Sequence, residues 1–270
     1  MATTRGSSEG GDAVTDAKKR EFWDERAAKA SHPGTDDFIL KRLEVDLILR
    51  VIGPGSSVLD VGCGDGETLV ALAEQRGCTG VGVDFAEQMV AAANARAGAS
   101  TAAGRLRFQR GELPSLPADL GRFDYVLTER CLINVTADQQ RAAFDALIEH
   151  VRPGGQYLMI ESFRQGLDRS NALRAALGLD PIAPPWHNAF LDEDAVATWG
   201  GRAVLKQRLP FTSTYHFLSR VIYARLATDR GEQMRYDSDI NLLSLRLPPF
   251  GDCGPVQLWT WERPGGREVG

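Results

Sequence analysis

The sequence predicts a doubly wound α/β fold, in which helices cover both faces of a mostly parallel sheet. Between about residues 56 and 162, short apolar runs alternate with helical segments, and helices of roughly 10–15 residues between strands are typical of βαβ units. Their right-handed crossovers place helices on both faces of the sheet. The second observation is a glycine-rich turn directly after the first apolar run, because ligands bind at such strand ends in this fold class.

Composition and charge indicate an ordinary folded protein and exclude several functions. Of 270 residues, 43% are hydrophobic and 25% are charged, and 31 basic against 36 acidic residues give a net charge of −5. The longest stretches without a charged residue have 11 residues, whereas a membrane-spanning helix needs about 20 apolar ones. We therefore expect no membrane span, and the acidic balance argues against nucleic-acid binding.

The four cysteines predict neither a disulfide framework nor a metal site. No C-x-x-C pair and no histidine at metal-ligand spacing accompanies Cys63, Cys78, Cys131 or Cys253. Reduced thiols are typical of the cytoplasm, and the amino-terminal segment has no apolar signal-peptide run. These features favour a cytoplasmic protein without a bound metal.

Two helices are predicted before the alternating region. Residues 16–30 have a helical composition. Residues 36–52 place apolar side chains at helical spacing, namely Leu40, Leu43, Leu47 and Val51. The sequence Gly-Pro-Gly at 53–55 then ends the second helix.

The alternating region contains five predicted strands and three helices. The strands cover residues 57–61, 80–84, 106–110, 123–127 and 156–161. The first two helices cover 67–76 and 86–97, and the third runs from Thr136 to Val151. Gln139, three residues after Thr136, predicts a capping box at the start of that third helix.

The chain after residue 162 is less regular and predicts two insertions and two further strands. The insertions cover about 163–201 and 210–250, with short helices over 167–177, 192–199 and 217–226. Strands over about 203–209 and 255–262 would complete the sheet. Insertions in doubly wound folds gather where ligands bind, so we expect these two to form a substrate lid.

A single domain is predicted, with a short tail at each end. Residues 1–15 are rich in Gly, Ser and Thr and favour disorder. Residues 263–270 form the second tail. The domain would then cover residues 16–262, with a cofactor-binding core over 56–162.

The glycine-rich turn favours a cationic ligand over a pyrophosphate. Its glycines, Gly62, Gly64 and Gly66, follow a G-x-G-x-G spacing instead of the dinucleotide pattern G-x-G-x-x-G. Glycines permit a tight turn and a close approach of ligand to backbone. Asp60 precedes the turn, and further acids occur at positions 65 and 67. These carboxylates would repel a pyrophosphate and suit a ligand that carries an amine and a sulfonium.

Asp84 is predicted to bind a ribose. It ends the second strand, 22 residues after Gly62, and a carboxylate there can accept hydrogen bonds from both ribose hydroxyls. This residue alone does not separate nicotinamide from adenosyl ligands.

Five sequence blocks between residues 58 and 162 together resemble the class I S-adenosylmethionine-dependent methyltransferases of the small-molecule type (type 11-like). The blocks are VLDVGCGDG at 58–66, VDFAEQM at 83–89, RGELPSLP at 110–117, FDYV at 123–126 and LIEHVRPGG at 147–155. The resemblance implies a Rossmann-like methyltransferase fold with a seven-stranded sheet and helical lid insertions. It also implies S-adenosylmethionine as the cofactor.

The resemblance implies a role for each matching position. The methionine part would lie along Asp60, Gly62, Cys63 and Gly64. Asp84 would hold the ribose, while Phe85, Glu112 and Leu113 would surround the adenine. Glu112 stands where the family more often has Asp. Thr128 would border the transferred methyl, and Trp23 would close over the amino-acid end.

Candidate catalytic and substrate-binding residues come mostly from the insertions. Methyl transfer to an alcohol usually requires a base, and the candidate bases are His187, His216 and Glu129. Candidate substrate contacts are Arg130, Trp186, Tyr215, Arg220, Tyr223 and Asn241. The two arginines could clamp an anion, so we expect an anionic or polyhydroxylated acceptor.

The sequence features favour one function among five candidates. The preferred one is methyl transfer to an oxygen or nitrogen of a polar small molecule, such as a natural-product intermediate or a sugar. Nucleic-acid amino-methylation is disfavoured because residues 128–131 read Thr-Glu-Arg-Cys instead of a Pro-Pro-aromatic motif. The alternatives are a protein methyltransferase, a non-catalytic S-adenosylmethionine-binding regulator and, less favoured, a NAD-dependent oxidoreductase. The sequence leaves the oligomeric state open.

Overall fold

A seven-stranded sheet forms the centre of the computed structural model, which describes residues 16–29 and 35–265. The strands are β1 (Ser57–Val61), β2 (Thr79–Asp84), β3 (Leu106–Arg110), β4 (Phe123–Glu129), β5 (Val151–Ser162), β6 (Val204–Leu209) and β7 (Val256–Glu262). Their order across the sheet is β3-β2-β1-β4-β5-β7-β6. The predicted tail at 1–15 lies outside the described residues.

The sheet topology confirms the predicted doubly wound fold. Strands β1 to β5 pair in parallel, and β7 lies antiparallel between β5 and β6. The strand order reverses between β1 and β4, because the chain builds outward to β3 before it returns on the other side of β1. The carboxyl ends of β1 and β4 therefore border the crevice where ligands bind in doubly wound folds.

Ten α-helices accompany the sheet in the described part of the chain. They are α1 (Asp16–Lys29), α2 (Phe38–Val51), α3 (Glu67–Arg76), α4 (Glu87–Gly98), α5 (Gln140–Glu149), α6 (Arg164–Ala176), α7 (Glu193–Ala197), α8 (Ser213–His216), α9 (Ala224–Arg230) and α10 (Asp239–Ser244). A π-helical stretch, Phe217–Tyr223, joins α8 to α9. The sequence pattern predicted a helix over 217–226, but it predicted neither the π-helical form of this stretch nor α10.

The core has one apolar layer on each face of the sheet. Strand β5 shows the alternation, because Leu158 packs in the layer that contains Ile48 of α2. Its neighbour Tyr157 packs on the opposite face with Phe144 of α5. Burial on both faces explains why residues 157–160 of β5 form a continuous apolar run.

The predicted capping box at Thr136 is wrong. Helix α5 begins at Gln140, and its N-cap Gln139 makes no side-chain capping bond. The carbonyl of Thr136 instead accepts hydrogen bonds from the backbone N–H groups of Gln139 and Gln140, at 2.9 and 3.1 Å. A turn therefore occupies the segment that the pattern assigned to the helix.

Candidate active site

The glycine turn after β1 is held in left-handed backbone conformations. Gly62 has φ +77°, and a Cβ atom built there would lie 2.6 Å from Sγ of Cys131. Gly66 has φ +76°, and its Cβ would lie 2.9 Å from the Phe108 ring. Gly64, with φ +53°, has no described atom within 4 Å of such a Cβ. The outer two glycines thus allow close packing, while Gly64 leaves open space above the turn.

Replacement of Gly62 by alanine is expected to lower the free energy of unfolding by about 1–2 kcal/mol, because a left-handed φ is unfavourable for L-residues. The new methyl group would also displace Cys131 from the turn. Urea unfolding of Gly62→Ala measures the effect. Gly98→Ala is the matched control, since Gly98 lies in α4 and a Cβ there meets no described atom within 4 Å. Equal stability of the two variants would contradict this account of the turn.

Asp84 joins the end of β2 to the glycine turn. One carboxylate oxygen accepts from the N–H of Gly64 and the other from the N–H of Ala86, both at 2.9 Å. Burial raises the pKa of Asp84 to about 6, although these backbone hydrogen bonds oppose the shift. The carboxylate is therefore fixed in orientation at the crevice.

Asp60 carries a buried carboxyl group that the fold itself does not satisfy. The residue is 1% exposed, and neither carboxylate oxygen has a hydrogen-bond partner in the described part of the protein. Burial, followed by the nearby charge of Glu129, raises the pKa of Asp60 well above its usual range. Buried polar groups are normally hydrogen-bonded. An unsatisfied acid at this strand end fits the amine of a bound cofactor.

A cavity opens at the carboxyl ends of β1, β2 and β4. Among the described residues, five acids and three bases line it, and two of these acids pair with arginines outside the lining, Glu112 with Arg20 and Asp65 with Arg96. The acids are Asp65, Glu67, Asp84, Glu112 and Glu129, and the bases are Lys19, Lys41 and Arg130. Polar side chains from the loop after β4 complete one wall, namely Asn134, Thr136 and Gln139. A lining with more acidic than basic side chains suits a cationic ligand better than a pyrophosphate.

The end of β4 is bound to α2 by two ion pairs. Nζ of Lys41 donates to Oε2 of Glu129 at 2.9 Å and to Oγ1 of Thr68 at 2.8 Å. Burial alone would lower the pKa of Lys41, but the carboxylates of Glu129 and Glu44 raise it above its usual value. Arg130 forms a bidentate pair with Glu44, at 2.8 and 3.2 Å. Arg130 has φ +54°, a conformation that strongly held side chains at functional sites can maintain.

Glu161 organises the loop after β4. Its fully buried carboxylate accepts from the N–H groups of Cys131 and Leu132 at 3.0 Å and of Ile133 at 3.4 Å. Burial raises the pKa of Glu161 to about 7. Sequence reasoning did not single out this residue, although an acid within an apolar strand is an available signal.

Helix α1 covers the cavity. Nζ of Lys19 donates to the carbonyl of Asn134 at 2.7 Å, and Arg20 forms an ion pair with Glu112 at 2.5 Å. Trp23 also lines the cavity. The predicted lid segments, 163–201 and 210–250, contribute no residue to the described lining. The observed cover therefore differs from the lid that the sequence predicted.

Comparison with known proteins decides the family. The profile of a methyltransferase domain family matches residues 58–155. An uncharacterized methyltransferase of Synechocystis is 31% identical over 163 residues, which cover 58% of this chain and 72% of that protein. The chain belongs to the class I S-adenosylmethionine-dependent methyltransferases.

Other relatives match over shorter lengths, and solved structures have a similar fold. The chain spans 46% of a Haemophilus influenzae relative and 30% of a Streptomyces fradiae relative. The magnesium protoporphyrin IX methyltransferase of Synechocystis, solved with bound S-adenosylmethionine, has a TM-score of 0.57 at 16% identity, covering 94% of this chain and 100% of that one. The cyclase SpnF has a TM-score of 0.55 at 19% identity, covering 88% and 84%. These structural similarities show the fold alone.

The methyltransferase cavity brings together most of the residues predicted to bind the cofactor. Those in the lining are Trp23, Gly62, Cys63, Gly64, Asp84, Phe85, Glu112 and Leu113. Asp60 and Thr128 lie outside the described lining. Thr128 is fully buried, and its hydroxyl is hydrogen-bonded to that of Tyr157 at 2.8 Å. Thr128 therefore does not border the cavity, contrary to what the resemblance implied.

The predicted substrate and catalytic residues divide between two places. Glu129 and Arg130 line the methyltransferase cavity. Trp186 and His187 pack behind α1 instead, with the His187 ring 4.6 Å from that of Phe22 and 5.6 Å from that of Trp23. Burial, then the charges of Arg26 and Lys19, lowers the pKa of His187. His187 therefore supports the cover, and its role as a base stays a prediction.

The remaining candidates lie away from the cavity because each is committed to a structural contact. His216 is buried, with Nδ1 3.0 Å from the carbonyl of Thr212. Tyr215 and Arg220 both donate to the carboxylate of Asp37 at the start of α2.

Two further substrate candidates belong to the second insertion. The Tyr223 hydroxyl accepts from the N–H of Arg235, and the Asn241 amide donates to two backbone carbonyls. Neither residue is in the described lining. The sequence predicted that Tyr223 and Asn241 contact the substrate. In the structure both residues lie away from the cavity.

The described residues also bear on two other classes of function. In the ranges 16–29 and 35–265, no helix is long and apolar enough to cross a membrane. The same ranges bring no three His, Cys, Asp or Glu side chains together in a metal-binding group.

Proposed function

We propose that this protein transfers a methyl group from S-adenosylmethionine to an oxygen or nitrogen of a polar small molecule. The observation that carries the proposal is the unsatisfied carboxyl group of Asp60 beneath an acid-lined cavity. Lys41, Asp84 and Glu129, whose charges act on Asp60, all line that cavity. A cationic cofactor would therefore satisfy the buried acid.

The residues at the strand ends would hold the parts of the cofactor. Gly64 offers open space for the methionine part, and Asp60, which lies outside the lining, would accept from its amine after a side-chain movement into the cavity. Asp84 would accept from the ribose, and Phe85 with Leu113 would flank the adenine. When bound, S-adenosylmethionine supplies a methyl group that its sulfonium has already activated.

The chain's own contribution is orientation, exclusion of water and acceptance of a proton. Helix α1 covers the cavity and would shield the reaction from water. The loop after β4 presents polar side chains that could orient an acceptor. Glu129 is the candidate base in the lining, and its pairing with Lys41 keeps its carboxylate in place.

A small-molecule acceptor is preferred to a protein side chain because α1 closes over the cavity. Lys19 and Arg20 bind α1 to opposite sides of the site, at Asn134 and Glu112. A protein methyltransferase would require an open groove for its substrate. A non-catalytic regulator would bind the cofactor without turnover, so a direct assay separates it from an enzyme.

The experiment is a methyl-transfer assay with S-adenosylmethionine labelled in its methyl group. The panel contains small carboxylic acids, phenols, sugars and amines, with an unrelated protein mixture as the macromolecular substrate. We expect label in a small-molecule product and S-adenosylhomocysteine in equal amount. Label only in protein, or tight cofactor binding with no transfer to any acceptor, would contradict the proposal.

A further inference from the structure

Among the described residues, one cation in the cavity has no carboxylate partner. Of the three lining bases, Lys41 is paired with Glu129 and Arg130 with Glu44. Lys19 is 8% exposed, and its ammonium makes a single described hydrogen bond, to the Asn134 carbonyl. A buried charge without an opposite charge is unfavourable. A bound anion would therefore stabilise this position.

The indole of Trp23 adds a second donor on the same face of α1. Trp23 follows Lys19 by four residues, and residues at this spacing are neighbours on a helix surface. Both residues line the cavity. The Nε1 atom of Trp23 is buried and has no hydrogen-bond partner among the described residues. The Lys19 ammonium and the Trp23 indole N–H are thus neighbouring donors, and each can form a further hydrogen bond.

The two donors lie on the side of the cavity formed by the loop after β4, since Trp23 packs against His187 and the next residue, Asn188, donates to the Asn134 side chain. Lys19 contacts Asn134 in the loop after β4, which is the wall with the polar side chains. Arg20, the next residue, points instead to Glu112 after β3, the end that we assign to the adenine. Helix α1 therefore spans the cofactor and presents Lys19 and Trp23 beyond it.

We propose that Lys19 and the indole N–H of Trp23 bind a carboxylate of the methyl acceptor, an inference that rests on the proposed function. Two donors match the two oxygens of a carboxylate. A phosphate group has three acceptor oxygens and would need more donors than these two. Arg130 and Arg220 do not supply this site, because each is already paired with a buried acid.

The experiment measures binding of benzoate and of its neutral isostere benzamide to the full chain by calorimetry, with and without S-adenosylhomocysteine at constant ionic strength. We expect the wild-type protein to bind benzoate at least about tenfold more tightly than benzamide. Lys19→Met should abolish that preference, and Trp23→Phe, which keeps the ring and removes the N–H, should reduce it. Lys18→Met, on the same helix, is the charge-matched control and should preserve it.

The cofactor carries a carboxylate as well, so a second comparison identifies the source. Lys19→Met should change the affinities for S-adenosylhomocysteine and for methylthioadenosine, which lacks the amino-acid part, by the same factor, because a loosened α1 affects both ligands alike. A loss confined to S-adenosylhomocysteine would assign Lys19 to the cofactor and overturn the proposal, as would equal binding of benzoate by wild type and Lys19→Met. Failure of wild type to bind S-adenosylhomocysteine would count against the proposed function instead, and circular dichroism verifies that each variant is folded.

Discussion

Replacing Glu44 with methionine is expected to lower the free energy of unfolding by about 3–5 kcal/mol, the usual cost of leaving one member of a buried ion pair alone. Glu44 is fully buried, and both of its oxygens accept from the Arg130 guanidinium. Its removal would leave that cation without its bidentate partner beside the cavity. Arg130 has a left-handed backbone conformation with φ +54°, and its side chain would then lose the ion pair that holds it in place.

Urea unfolding of wild type and of Glu44→Met measures this effect. The control is a double variant that also carries Arg130→Met, because apolar residues can replace a buried ion pair at little cost. We expect the double variant to recover at least half of the lost stability. A loss below about 1 kcal/mol in the single variant, as for an exposed pair, would contradict the view that this pair is an internal support of the site.

Asp84→Asn is expected to weaken binding of S-adenosylhomocysteine by about 1.5–3 kcal/mol, the range for hydrogen bonds to a charged group. Asparagine preserves the shape, but one side of the group becomes a donor. The new NH2 group would then face either the N–H of Gly64, which donates to Asp84 in the wild type, or a ribose hydroxyl. Calorimetry on the variant gives the change in dissociation constant. An unchanged affinity would remove Asp84 from the cofactor site.

The pH dependence of the same binding provides a second readout for Asp84. Burial raises its pKa to about 6 in the unliganded protein, and the ionised carboxylate is the stronger acceptor. Affinity of the wild type should therefore rise with pH through about 6, and that rise should be reduced in Asp84→Asn. For folding the sign is opposite, because a raised pKa favours the protonated form. The contribution of Asp84 to stability is present below about pH 4 and is lost as pH rises through 6.

The sequence was sufficient to predict the sheet and most of the residues that line the cavity at the strand ends, because both depend on local patterns. Apolar runs such as 57–61 are strands for local reasons, and the glycine turn has a local conformational requirement. Asp84 could be placed because parallel strands end at one edge of the sheet. These signals require no knowledge of distant contacts.

The contacts of α1 and α2 with the end of β4 and the loop after it could not be predicted, because they join residues that are far apart in sequence. Lys19 and Asn134 are 115 residues apart in sequence, and Lys41 and Glu129 are 88 apart. Nothing in the pattern of α1 or α2 distinguishes these lysines from solvent-facing ones. Residues of the insertions, such as His216, had suitable chemistry. The fold nevertheless directs them to structural contacts, because the second insertion packs against the start of α2 through Asp37.

Titration of the purified protein with S-adenosylhomocysteine and, separately, with NADH tests the central claim most directly, namely that buried and lining acids select a cationic adenosyl cofactor. We predict saturable heat at one site per chain with S-adenosylhomocysteine, and none with NADH. Saturable heat with NADH, together with none from S-adenosylmethionine or S-adenosylhomocysteine, would contradict the account.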